Sequence, residues 1–239
     1  MQRTASRPGF TFVELLVVLF LIGMLLPALG AARRTSRQMS NNTQLRGIHQ
    51  SFVTFAQSNK VGGNDGYFPG LDARGELTAV SPAGRMNLLL NGNYFTPDYI
   101  VSPADTDTVV AVLLPGQEEY AITTQNHSYA MLRIGDAAAD AGRRDEWKET
   151  LNANAIVLSD RNTGTPDRLS SVWTERLSGD WRGGVVRNDN STAFELTTVF
   201  EATKYGRYAA NDEDAIFVGE TDAGSDTLNI HEIEGLAGR

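Results

Sequence analysis

The sequence predicts an α+β protein: one long N-terminal helix, its first half transmembrane, packed through its second half on an antiparallel β-sheet. Three observations predict it. Residues 10–32 contain a single charged side chain, Glu14, with Arg3 and Arg7 before the run and Arg33, Arg34 and Arg37 after it. An apolar stripe follows at spacings of 3, 4 and 3, made of Leu45, Ile48, Phe52 and Phe55, which is one face of a 3.6-residue period. Beyond residue 58 short β-branched segments alternate with Gly, Pro, Asn and Asp, and a helix followed by such strands points to segregated α and β layers.

The helix is expected over residues 10–58. Crossing a hydrocarbon layer of ~30 Å takes roughly 20 helical residues, so residues 10–32 suffice for the span and 33–58 form its amphipathic continuation. Basic flanks are retained in the cytoplasm, which places the leader inside and the acidic remainder outside. Pro27 has no N–H to offer the Gly23 carbonyl, and its ring crowds that carbonyl. A kink or melted turn is therefore expected between Gly23 and Pro27.

The globular part is expected over residues 59–239. Residues 59–83 read as loop, with a Gly-Gly-Asn-Asp-Gly cluster at 62–66. A short helix is expected over 85–91 with Gly92 as its C-cap. Pro97 and Pro103 bracket an exposed connector. Residues 109–114, Val-Val-Ala-Val-Leu-Leu, read as a strand or a short buried helix. Residues 126–134 alternate as a strand, a short helix is expected over 145–151, and 155–158 read as a strand stopped by a turn at 159–164. Residues 184–187 and 192–197 flank Asn188, Asp189 and Asn190 as a hairpin, because Asn and Asp tolerate positive φ. Residues 215–218 and 228–233 are the last expected strands.

Glu14 is the informative residue of the span. A carboxylate in a membrane helix is expensive and marks a partner or a purpose. Cutting the bond between Gly9 and Phe10 would give Phe10 a new amine and make Glu14 the fifth residue of the product. Near a helix N-terminus a carboxylate is favoured by the dipole, and in lipid its natural partner is the amine of a neighbouring copy. The arrangement predicts self-assembly of helices in register.

The string Gly-Phe-Thr-Phe-Val-Glu-Leu-Leu-Val-Val-Leu from residue 9, behind a short basic leader, resembles the N-terminus of type IV prepilins and type II secretion pseudopilins. The resemblance implies a pilin-like fold. It implies cleavage after Gly9 by a prepilin peptidase and N-methylation of Phe10, with alignment of incoming subunits by Glu14 at an inner-membrane assembly platform. It also implies a hinge at Gly23 and Pro27 that unwinds when the subunit leaves the membrane. Residues 25–50, 67–70, 100–103, 158–162 and 183–191 resemble prepilin-like proteins of planctomycete-type bacteria more loosely. That group often has cysteines near position 40 and before Pro103, and a histidine before the Gly-Gly pair. This chain has Ser40, Ser102, and Asp180 with Trp181 in those places, so neither a disulfide nor a histidine role carries over. A competing reading is a secretory signal peptide cleaved after residues 27–30, Pro-Ala-Leu-Gly, releasing an exported binding module at Ala31.

Composition excludes some functions. The net charge is −8, and loss of the leader's two arginines takes it to −10. That disfavours nucleic acid, whose binders carry basic patches. There is no cysteine, so an exported form is held by its core. No nucleophile elbow, P-loop or metalloprotease motif occurs, and the protein is expected not to be an enzyme. His49, His127 and His231 are isolated in sequence, with His49 expected on the polar helix face. Asp160 and Arg161 read as a turn salt bridge, and Trp181 as a buried ring beside a turn. The cofactor to weigh against none is calcium, which takes six to eight oxygens. Its candidate ligands are Asp212, Asp214, Asp222 and Asp226 in the acidic C-terminal loops, where the resemblance to major pseudopilins suggests a site.

Overall fold

The computed structural model describes residues 10–63, 66–136, 141–145, 147–149, 152–164, 168–175, 179–201 and 213–217. Its contacts divide the chain into Met1–Met39 and Ser40–Arg239. The first helix, α1 (Phe12–Ser58), passes through Gly23 and Pro27 without a break, so no turn is melted there. Its residues from Leu15 to Leu29 leave every large apolar side chain exposed.

Within the second unit the stripe of α1 meets the core. Leu45, Ile48 and Phe52 are fully buried, and Ala56 rather than Phe55 completes the row. Phe55 lies at the margin, tilted against Tyr94 at 5.8 Å between ring centroids. Phe52, Phe68 and Trp147 form an aromatic cluster with centroids 5.3–5.8 Å apart, Trp147 edge-on to both phenylalanines and these tilted against each other. Edge-to-face pairs of this kind add to simple burial. The buried Arg85 guanidinium lies 5.2 Å from the Trp147 ring and donates to the Val80 and Leu132 carbonyls at 2.7 and 2.9 Å.

Arg85 sits on α2 (Pro82–Asn91). This helix starts three residues before the expected boundary because Ser81 caps it, accepting from the Gly84 N–H at 3.1 Å, with Pro82 in its first turn. Gly92 is the C-cap, but positive φ falls on Asn93. The connector after Pro97 is only partly exposed: it is a 3₁₀ turn (Pro97–Ile100) in which Asp98 is exposed and Ile100 fully buried, followed by a buried Ser102. Residues 109–114 are neither a paired strand nor a buried helix; they run without turn or bend and are mostly exposed.

The sheet is a four-stranded antiparallel meander in the order β1 (Tyr129–Met131), β2 (Ile156–Asp160), β3 (Gly183–Arg187), β4 (Thr192–Glu195). β1 is shorter than expected, and all three of its residues are buried rather than alternating, because both faces are covered. β2 runs on through Ser159 and Asp160, which were expected in the turn, and its register against β3 slips between Ile156 and Leu158 as at a bulge. The hairpin between β3 and β4 has its positive φ at Asn190. A helix forms at α3 (Ala141–Asp145), ahead of the expected 145–151. A separate pair joins β5 (Val199–Glu201) to β6 (Glu213–Ala215), ahead of the expected 215–218. The expected strand at 228–233 lies outside the described residues.

Candidate functional site

Two arrangements carry chemistry. The first is the start of α1. Thr11 precedes the first helical residue, and Glu14 is the third. The Thr11 N–H and Oγ1 hydroxyl both lie 2.8 Å from Glu14 Oε2, and the Glu14 N–H donates to Thr11 Oγ1 at 3.3 Å. This is a reciprocal capping box, which satisfies N–H groups that a helix start leaves without partners. The Thr-x-x-Glu spacing announces it, a signal that reading Glu14 only as a charge partner passes over. Phe10 lies just outside the helix and is 78% exposed. Gly9 lies outside the described residues. The only acid of the apolar run thus sits at the helix start, beside a bare aromatic residue.

The second arrangement is a buried polar seam in the other unit, between α1 and the sheet. Asn41 lies on the apolar stripe, four residues before Leu45, and is fully buried. Its Nδ2 donates to Asp160 Oδ2 at 2.8 Å, and its Oδ1 accepts from Ser102 Oγ at 2.8 Å. The Tyr129 hydroxyl is 3.0 Å from both Asn41 Oδ1 and Gln44 Oε1 and donates to one or the other. The Gly184 N–H donates to Asp160 Oδ2 at 2.6 Å.

The seam continues outward. Ser128 and Thr108 hydroxyls donate to Asp105 Oδ2 at 2.8 and 2.6 Å, and Arg161 approaches the same oxygen at 3.4 Å. Arg161 therefore pairs with Asp105 and not with its neighbour Asp160, because the two successive residues leave the strand in opposite directions. Burial works against the Asp105 charge, but Thr108, Ser128 and Arg161 together hold its pKa below the usual carboxylate value. Asp160 is different. Burial dominates and pushes its pKa up to about 7, against the opposing donors Gly184 and Asn41. Its Oδ1 makes no hydrogen bond; the Trp173 indole is close enough to oppose the rise but is not in hydrogen-bonding geometry. The same burial, followed by the Asp160 charge, raises the Tyr129 pKa well above its ordinary value.

His49 is not on a polar face. It is buried between Phe52 and Phe68, with Nδ1 3.2 Å from Asn190 Oδ1 and Nε2 3.4 Å from Asn188 Oδ1. Burial lowers its pKa against the opposing Asn188 and Asn190 contacts, and the ring ties α1 to the hairpin turn. Trp181 is buried with its edge against Phe217 at 5.4 Å, as expected of a ring beside a turn. Among the described residues no group of three His, Asp or Glu could hold a metal ion. Of the calcium candidates, Asp214 falls in β6, and Asp212, Asp222 and Asp226 lie outside the described residues.

Asp160 is 1% exposed, and its carboxylate joins α1 to β3 through Asn41 and Gly184. The N-terminal half of α1 shows the converse. Its most apolar 18-residue window is entirely unburied, and it is one helix long and apolar enough to cross a membrane. No family model, curated protein or solved structure matches this chain.

Proposed function

We propose that this chain is a prepilin-like structural subunit. It is inserted in the inner membrane, trimmed by a prepilin peptidase between Gly9 and Phe10, N-methylated at Phe10, and assembled through α1 into a type IV pilus or type II secretion pseudopilus. The observation that carries the reading is the apolar, unburied first half of α1, whose one acid stands at its start beside Phe10. Side chains of this kind need lipid or other helices around them. Exchange of lipid for a helical bundle supplies the assembly step. The new Phe10 amine of one copy pairs with Glu14 of another and fixes their register, while Gly23 and Pro27 give the helix a place to unwind. The globular unit stays outside the membrane and reaches the periplasm or cell surface with the filament.

Mass spectrometry of the mature N-terminus from the native cell tests the processing. A chain beginning at N-methylated Phe10 supports it. A chain beginning near Ala31 has lost Glu14 and would be an exported binding module instead. Glu14→Ala tests the assembly: filament yield should fall at least tenfold while the melting temperature of the globular unit is unchanged. Normal yield from that variant would remove the pairing step.

A further inference from the structure

Residues 109–114 have the composition of a strand and no strand partner among the described residues. They run without turn or bend, and no non-glycine residue among them takes positive φ. Three of the six are valine, and β-branched side chains favour the pleated conformation. Both ends are fixed. The Val109 N–H donates to the Gln125 carbonyl at 3.0 Å, and Asn126 Nδ2 donates to the Val109 carbonyl at 3.0 Å. At the other end Leu114 opens a turn with Pro115 and Gly116 at its corners. The Gln117 N–H returns to the Leu114 carbonyl at 3.0 Å, and Gly116 has φ +89°, the pattern of a type II turn. Between these anchors the backbone of residues 110–113 makes no hydrogen bond to the described residues. Val109, Val112 and Leu114 are each more than 60% exposed.

A row of unpaired N–H and C=O groups flanked by apolar side chains is a template for an added strand. The surrounding charge says which strand. Asp107, Glu118 and Glu119 flank the segment and are exposed, and the chain has no Lys or Arg between Arg85 and Arg133. Asp105 is already taken by Arg161. Pairing two copies of this segment with each other would set these acids against acids in either direction, which is destabilising. We propose that residues 109–114 accept an extended polypeptide as an added strand, and that the partner is apolar on alternate residues and basic at its ends.

The test uses the full chain in detergent and a fluorescent nine-residue peptide, Lys-Lys-Val-Thr-Val-Thr-Val-Lys-Lys, followed by anisotropy and by hydrogen exchange. Alternate amides among residues 110–113 should slow at least tenfold when the peptide is bound. Val112→Pro keeps an apolar side chain but removes an N–H, and should weaken binding at least tenfold with the melting temperature unchanged. The triple variant Asp107→Lys, Glu118→Lys, Glu119→Lys should lose this peptide and gain its Glu-flanked counterpart. Unchanged exchange at 110–113, or full binding by the Val112→Pro chain, overturns the proposal. Self-association of the unmodified chain that protects the same amides without peptide also overturns it, in favour of a second copy.

Discussion

The two halves of α1 are the same secondary structure in opposite surroundings. From Leu15 to Leu29 every large apolar side chain is exposed, whereas Leu45, Ile48, Phe52 and Ala56 have no exposure at all. Backbone hydrogen bonding does not distinguish them; what lies against the side chains does. The first half is apolar all round and so needs an apolar environment on every side. The second half is apolar on one face, and residues of its own globular unit cover that face, among them Gly184 beside Leu45 and Phe68 and Trp147 beside Phe52. Polar residues are therefore tolerated in opposite ways: Glu14 is exposed and caps its own helix through Thr11, whereas Asn41 and His49 are buried and must have partners.

Truncating one side chain in each half separates the two surroundings. Phe52→Ala should cost the globular unit about 3–5 kcal/mol, the usual range for a buried aromatic, read as a lower melting temperature in detergent. Leu21→Ala should leave that melting temperature unchanged and instead reduce recovery in the membrane fraction. Equal losses in both variants would mean that the first half is also core.

A smaller effect is expected at the seam. A Cβ on Gly184 would sit 2.5 Å from Leu45 Cδ1 and 2.8 Å from Asn42 Oδ1. Gly184→Ala should therefore push the helix from β3 and cost about 1–3 kcal/mol, as overpacking does. A melting temperature equal to that of the parent would show that helix and strand slide apart freely.

The subtlest test is in pH. The Asp160 pKa rises from an ordinary 3.8 to about 7 on folding. The fold thus holds a proton that the unfolded chain releases, and stability from this group, full below about pH 4, is lost as pH rises to about 7. In the Asp160→Asn variant the new amide oxygen can accept from Asn41 and Gly184 without a charge. The variant should match the parent below about pH 4, gain on it as pH rises, and exceed it most in melting temperature at about pH 8. His49 acts in the other direction: its lowered pKa favours the fold above its ordinary 6.5, and that contribution is lost as pH falls. The variant should therefore keep a stability that declines on acidification. A parent and variant with parallel pH profiles would place the Asp160 pKa near its ordinary value.

Much of the fold was legible because its signals are local. The period of α1, the hairpin turn at 188–190 and the strand after Ala155 need only neighbours in sequence. The seam was not legible, because Asn41 and Asp160 are 119 residues apart and an asparagine in a helix reads as solvent-facing. One signal was available: Asn41 precedes Leu45 by four residues, and His49 precedes Phe52 by three, so both fall on the apolar stripe. A polar residue there has to be satisfied by something distant. The segment 109–114 reads differently from its composition for the opposite reason: its residues are those of a strand, but no strand pairs with it among the described residues. Glu14 was read for what it offers a neighbour, while its spacing from Thr11 already provided a use within the chain.

The reach of these contacts also sets an order of events. Asn41 waits for Asp160, and Arg46 for Thr192, 146 residues later. In a chain made from its N-terminus, the stripe of Leu45, Ile48 and Phe52 is finished long before the strands that cover it exist. Contacts of such separation form late, and apolar surface left bare meanwhile is prone to aggregate. A chain built this way is most vulnerable after its helix is made and before its sheet is complete.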